Sequence, residues 1–273
     1  MMNIIVCIKQ VPDTSEVRID PVKNNLVRDG VPSIMNPADR TALETALKIK
    51  RENGANVTVV SMGPPQAGKE LETALKMGAD RAILLCGRKF GGADTLATAY
   101  TLASAIARLK YDLIMCGVEA IDGCTGQVGA MSGECLGIPA FTYVDSIRIE
   151  RERMEVVRDT GNRIETYSAK APAVVCMLRK PAQVAETEET EQKLEIWDES
   201  FADESRIGRN GSPTRVVRIA TAESRSDYLF VPHDWSLEQR MEYIFNGGID
   251  QKGIKPIRGS VEKLAGILID ELY

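Results

Sequence analysis

The chain has 273 residues, with 39 acidic and 34 basic side chains, a net charge of −5 and 44% apolar residues. That length holds one large domain, or one domain with an appendage. The mild acidity gives no electrostatic basis for nucleic acid or an anionic membrane as partner, and no apolar run reaches the roughly 18 residues of a membrane helix.

The six cysteines, Cys7, Cys86, Cys116, Cys124, Cys135 and Cys176, form no CxxC pair and mostly sit in apolar runs. This is the usage of reduced thiols in a cytoplasmic protein, not of a disulfide framework or a zinc site. The first ten residues lack a basic start and run straight into a strand, so no secretion leader is expected. The single histidine, His233, lies between Pro232 and Asp234 in a loop-like stretch and offers no Ser/His or Cys/His couple. No catalytic residue and no metal set is therefore expected, and redox work would require a borrowed cofactor.

In chain order, residues 3–8 read as a fully buried strand with Lys9 at its exit. An excursion follows, in which Val17-Arg18-Ile19 and Leu26-Val27-Arg28 suggest a small hairpin turned over 21–25. Asn36-Pro37 is a good helix start, and a helix over 37–52 places Leu43, Ala46 and Leu47 on one face before Asn53-Gly54 stops it. A strand over 57–62 turns through Gly63-Pro64-Pro65 into a helix that ends at Met77. A third strand over 81–86 leads through Gly91-Gly92 to Asp94-Thr95 and a strongly apolar helix reaching about residue 109. Continuous apolar strands alternating with helices imply a parallel, doubly wound sheet in an α/β fold.

Residues 111–131 then read as a buried strand, a glycine-punctuated turn and the start of a helix. A helix start carries unpaired amides and partial positive charge, which suits an anion. Gly126 and Gly129 would let a phosphate approach the main chain. An ordinary strand-to-helix connection has the same composition, and neither GxGxxG nor GxxxxGK[ST] is present.

The rhythm changes after Gly137. Residues 141–150, 154–159, 163–169 and 173–178 read as strands on short connections, with Gly161-Asn162 as a hairpin turn, and are expected to extend the sheet with antiparallel strands. Residues 186–204 are acidic and read as a solvated tether or a partner-binding arm. Residues 212–219 are basic and β-prone, and helices are expected over 236–245 and 260–272. The organisation expected is a nucleotide-binding α/β domain over 1–178, and an extended acidic arm with C-terminal helices over 179–273 that packs on a partner subunit.

Several segments together resemble the beta subunit of electron transfer flavoprotein: IIVCIKQVPDT (4–14), MNPADRTALETALKIK (35–50), VTVVSMGPPQA (57–67), GADTLATAYTLASAI (92–106), DLIMCGVEAIDGCTGQVG (112–129) and KAPAVVCM (170–177). The resemblance covers about the first two-thirds of the chain, in order. It implies a heterodimer with an alpha subunit whose FAD passes electrons to or from a partner dehydrogenase.

It also implies a nucleotide site. The segment Ala120, Ile121, Asp122, Gly123, Cys124, Thr125, Gly126, Gln127, Val128 and Gly129 would hold the phosphates, largely through main-chain amides, with side-chain contacts from Thr125 and Gln127. Cys7, Asn36 and Asp39 would lie near the adenosine, and the backbone at Met62 and Gly63 near the adenine. Family members hold either AMP, as a fixture, or a second FAD used with NADH in electron bifurcation. Asp94, Thr95 and Thr98 at a helix start, with the small residues of IDG…TGQVG, resemble the FAD-holding group. The expectation is FAD, with NADH as donor and AMP as the alternative. An adenine-nucleotide hydrolase or ATP-sensing domain is a further alternative, which the missing P-loop disfavours.

Two departures stand out. Cys124 replaces a usual acidic residue, and the stretch after Leu178, RKPAQVAETEETEQKLEIWDES, lacks the family's proline-arginine-aromatic pattern. An acyl-CoA dehydrogenase is therefore not specifically implied as the redox partner.

Overall fold

The computed structural model describes residues 1–13, 18–19, 26–27, 32–150, 153–182, 191–214, 236, 238–239 and 241. The chain divides into two compact units, Met1–Arg215 and Val216–Tyr273. In the second, Ser236 and Gln239 exchange reciprocal hydrogen bonds between side chain and main chain, the pattern of a helix start. The rest of the predicted helices over 236–245 and 260–272, His233 and the β-prone residues 215–219 lie outside the described residues.

The first unit is built on a nine-stranded sheet. Its strands are β1 (Met2–Cys7), β6 (Ala55–Met62), β7 (Arg81–Leu85), β8 (Leu113–Gly117), β9 (Ala140–Glu150), β10 (Arg153–Asp159), β11 (Ile164–Lys170), β12 (Ala173–Met177) and β13 (Leu194–Trp197). They lie in the order β11-β10-β9-β12-β8-β1-β6-β7-β13. All neighbours are parallel except β9–β10 and β10–β11. Two short antiparallel pairs form separate ribbons: β2 (Gln10–Pro12) with β5 (Ser33–Met35), and β3 (Arg18–Ile19) with β4 (Leu26–Val27). The second pair is the expected hairpin; its turn lies outside the described residues.

Helices cover both faces because the central strands are apolar on both sides. Ile4, Ile5 and Val6 of β1 are all buried. Ile4 and Val6 pack with Leu43, Ala46 and Leu47 of α1 (Pro37–Asn53) and with Leu71 and Leu75 of α2 (Gly68–Lys76). Ile5 packs on the opposite side with Leu102 and Ile106 of α3 (Thr95–Ile106) and with Val128 and Leu136 of α4 (Val128–Leu136). This is the doubly wound α/β arrangement that the sequence implies. Gly54, at φ +70°, ends α1 as expected.

Two strands depart from the sequence reading. Ala173–Met177 does not extend an antiparallel edge: β12 lies between β8 and β9, parallel to both, with all five residues buried. The antiparallel extension is the meander β9–β10–β11, turned at Gly161 (φ +84°). Within the acidic stretch, Leu194–Trp197 forms the edge strand β13 beside β7. Arg81 clasps Glu195 there through Nε–Oε1 at 2.5 Å and Nη2–Oε2 at 2.7 Å, and Trp197 and Phe201 join the core behind α3.

Candidate functional site

From β1 the chain winds outward through β6 to β7, then returns to the other side of β1 as β8. The strand order therefore reverses between β1 and β8, where ligands of open α/β sheets bind beyond the carboxyl ends of the strands. A cavity of about 590 Å³ opens there. Its floor is formed by the exits of β1 (Cys7, Ile8, Lys9), β6 (Met62) and β8 (Cys116, Gly117, Val118), and its wall by the loop from Glu119 into α4 and by the approach to α3.

The 118–127 loop is held from two sides. Asn36 was expected as the cap of α1, but its side chain makes no cap bond. Instead Nδ2 donates to the Glu119 carbonyl at 2.9 Å, and Oδ1 accepts from the Ile121 amide at 3.2 Å. On the other side the Lys9 ammonium donates to both oxygens of Asp122, at 2.7 and 2.8 Å. Between these ties the loop uses left-handed backbone at Cys124 (φ +48°) and Gly126 (φ +62°). The first is uncommon for a residue with a Cβ.

The two helices that open on the cavity differ at their starts. Asp94 caps α3, accepting from the Ala97 amide at 3.0 Å and, through its other oxygen, from the Thr214 amide at 3.1 Å. Although desolvation acts against the charge, these amides hold Asp94 below the usual carboxylate range. Gln127, the N-cap of α4, makes no side-chain cap bond, and the first turn of the helix holds no acidic residue. Its leading amides and positive end are therefore open to an outside anion, whereas the start of α3 is already answered by Asp94.

Beneath α4 lies a row of thiols. Cys116 and Cys176 stand in register on β8 and β12, with sulfurs 3.5 Å apart. The Cys176 thiol and burial push Cys116 well above its ordinary value. Burial pushes Cys7 up to about 12, with Asp39 and Cys176 adding to it. Cys7 and Cys116 are therefore protonated, unreactive thiols, and together with the Cys176 side chain they form an apolar floor. Gly129 rests on them: a Cβ there would overlap the sulfurs of Cys116 and Cys176. Close packing on this floor accounts for Gly129, a reason separate from any approach of a phosphate. Asp39 sits at the same level, 7% exposed, and accepts from the Lys9 amide at 2.9 Å and the Gly117 amide at 2.7 Å. Burial pushes it up to about 7, against the Gly117 amide, the Asn36 side chain and the Lys9 amide. Gly117 permits this contact, since a Cβ would come within 2.6 Å of Ala38 Cβ and Asp39 Oδ1.

Of the residues singled out from sequence, Cys7, Asp39, Met62, Asp94, Thr95, Thr98, Ala120 and all seven from Gly123 to Gly129 line this cavity. Four do not. Asn36, Ile121 and Asp122 belong to the ties that hold the loop, and the Gly63 amide donates to the Leu85 carbonyl at 3.1 Å, joining β6 to β7. Sequence reasoning missed Phe90, Gly92, Cys116, Gly117, Glu119 and Thr214. Phe90 was the legible one: it is an apolar residue inside a glycine-rich turn, and it is buried. Thr214 is brought to the rim by Asp94, 120 residues away in sequence, which no local pattern foretells.

The sheet, its switch point and the uncapped helix define a member of the doubly wound α/β class. Residues 23–202 match the electron transfer flavoprotein domain. The electron transfer flavoprotein subunit beta of Clostridium acetobutylicum is 46% identical over 230 residues, covering 81% of this chain and 89% of the relative. That of Megasphaera elsdenii is 41% identical over 254 residues, covering 87% and 94%. The caffeyl-CoA reductase-Etf complex subunit CarD of Acetobacterium woodii is 45% identical over 228 residues, covering 80% and 87%. The chain belongs to the electron transfer flavoprotein family, among its beta subunits, and its functional class is electron transfer. Among the described residues no helix is long and apolar enough to cross a membrane.

Proposed function

We propose that this chain binds FAD in the cavity between β1, β8 and α4, and works in the cytoplasm as the beta subunit of a heterodimer. With an alpha subunit that carries its own FAD, it passes electrons from NADH to a partner dehydrogenase by electron bifurcation. The observation that carries the reading is the uncapped start of α4 opening on a cavity at the switch point of the sheet. In size the cavity falls within the range of small-molecule and cofactor sites.

The residues fit the parts of such a ligand. The α4 amides and the left-handed turn at Gly126 offer donors for a diphosphate, and Thr125 and Gln127 offer side-chain contacts beside them. A side chain at Gly123 would meet nothing within 4 Å, so this rim has room for a bulky group. Cys7 and Met62, at the ends of β1 and β6, offer an apolar seat for an adenosine, with Asp39 at its floor. In this reading 1–178 carries the nucleotide site apart from Thr214, and 179–273 supplies the part that packs on the partner subunit, apart from β13 and the stretch through Thr214, which complete the first unit.

When bound, FAD supplies the exchange between electron pairs and single electrons that bifurcation requires. The chain's own residues bind it, orient it and exclude water; none moves a proton. NADH as donor rests on the family resemblance alone. The test is anaerobic addition of NADH to the purified heterodimer. Bleaching of the flavin absorbance is expected, and flavin that stays oxidised under excess NADH would overturn the donor reading.

A further inference from the structure

Among the described residues that line the cavity Lys9 is the only basic side chain, beside the carboxyl groups of Asp39, Asp94 and Glu119. Asp39 and Asp94 are each fixed by two main-chain amides. A phosphate drawn to the start of α4 therefore meets one cationic side chain among the described lining residues. The Lys9 ammonium is held by Asp122, and the two side chains are 48% and 32% exposed. An exposed lysine–carboxylate pair is weakly held, and the flexible lysine stem reorients readily. The FAD diphosphate as a whole and the AMP monoester each carry about two negative charges, more than one carboxylate, and compete well for the same ammonium.

We propose that Lys9 is the phosphate-pairing cation of this cavity, and that Asp122 and the nucleotide phosphate compete for it. The inference rests on the nucleotide reading above, but it holds for FAD and AMP alike because both carry phosphate. It makes two predictions that a purely structural bridge does not. Removing the cation weakens retention, and removing its competitor does not.

The experiment uses the heterodimer purified as wild type, Lys9→Met, Lys9→Arg and Asp122→Asn. Each is dialysed against a series of potassium chloride concentrations, and the FAD and AMP kept per heterodimer are counted after denaturation. The alpha-subunit flavin serves as internal reference, and circular dichroism verifies the fold. Lys9→Met is expected to weaken retention of this chain's nucleotide about tenfold, the effect of losing one charge-assisted contact. Lys9→Arg should keep it, and Asp122→Asn should hold it at least as tightly as wild type. If Lys9→Met and Asp122→Asn weaken retention equally, the bridge merely holds the loop and the proposal fails. It also fails if neither variant changes retention. A wild-type complex with AMP in place of the second FAD would overturn the FAD reading but leave this comparison intact, now read on AMP.

Discussion

Replacing Asp39 by asparagine removes a buried carboxyl at nearly constant volume. Burial pushes this group up to about 7, from an ordinary value of 3.8. An acid raised in the folded state gives its full stability below the unfolded value, and loses it as pH rises toward the folded one. The loss therefore begins near pH 4 and is complete near pH 7. At about 1.4 kcal/mol per unit, the part falling between about pH 5.5 and about pH 8 amounts to about 2 kcal/mol. Asparagine does not titrate, but it offers one acceptor where the Lys9 and Gly117 amides need two. Leaving one of these amides unpaired costs about 1–3 kcal/mol at any pH. Urea denaturation of the full chain, followed by circular dichroism, should find Asp39→Asn less stable at about pH 5.5, with the gap narrowing by about 2 kcal/mol at about pH 8. Parallel pH profiles would show that burial does not hold Asp39 neutral.

Two further substitutions probe the frame of the site. Gly129→Ala drives a methyl into the sulfurs of Cys116 and Cys176 and should destabilise by about 1–3 kcal/mol, the usual cost of overpacking; the double variant with Cys176→Ala should recover part of that loss in a thermal melt. Asp94→Ala removes both the α3 cap and the tie to Thr214, and should cost about 1–2 kcal/mol in urea denaturation.

Much of the frame was legible because the strands that carry it are continuous apolar runs. Residues 3–8, 57–62, 81–86 and 111–116 each appear as parallel strands with boundaries shifted by a residue or two. The central place of β12 had a signal too: Ala173–Met177 is apolar throughout, as a strand buried on both faces must be, where an antiparallel edge would alternate. Its short connection to β11 suggested a hairpin and hid that. β13 was concealed by its charges. Leu194-Glu195-Ile196-Trp197 carries β-prone residues, but the glutamates around it read as solvated chain, and Arg81, which answers Glu195, lies 114 residues away.

The site divides in the same manner. The loop over 120–129 announces itself by glycines and a helix start. Asn36 and Lys9 are visible as residues, yet their partners are 85 and 113 residues distant, so a pattern that looked like a helix cap is a strut for the loop. Gly129 shows the limit of reading glycines for ligands: its lack of a side chain is already required by two thiols on neighbouring strands.

The proposed function stands on FAD in the cavity over α4. The most direct measurement is to co-express this chain with its alpha subunit, denature the purified complex, and count the nucleotides released per heterodimer. Two FAD and no AMP is the predicted result. One FAD with one AMP would contradict the claim and make this chain a nucleotide-stabilised docking subunit.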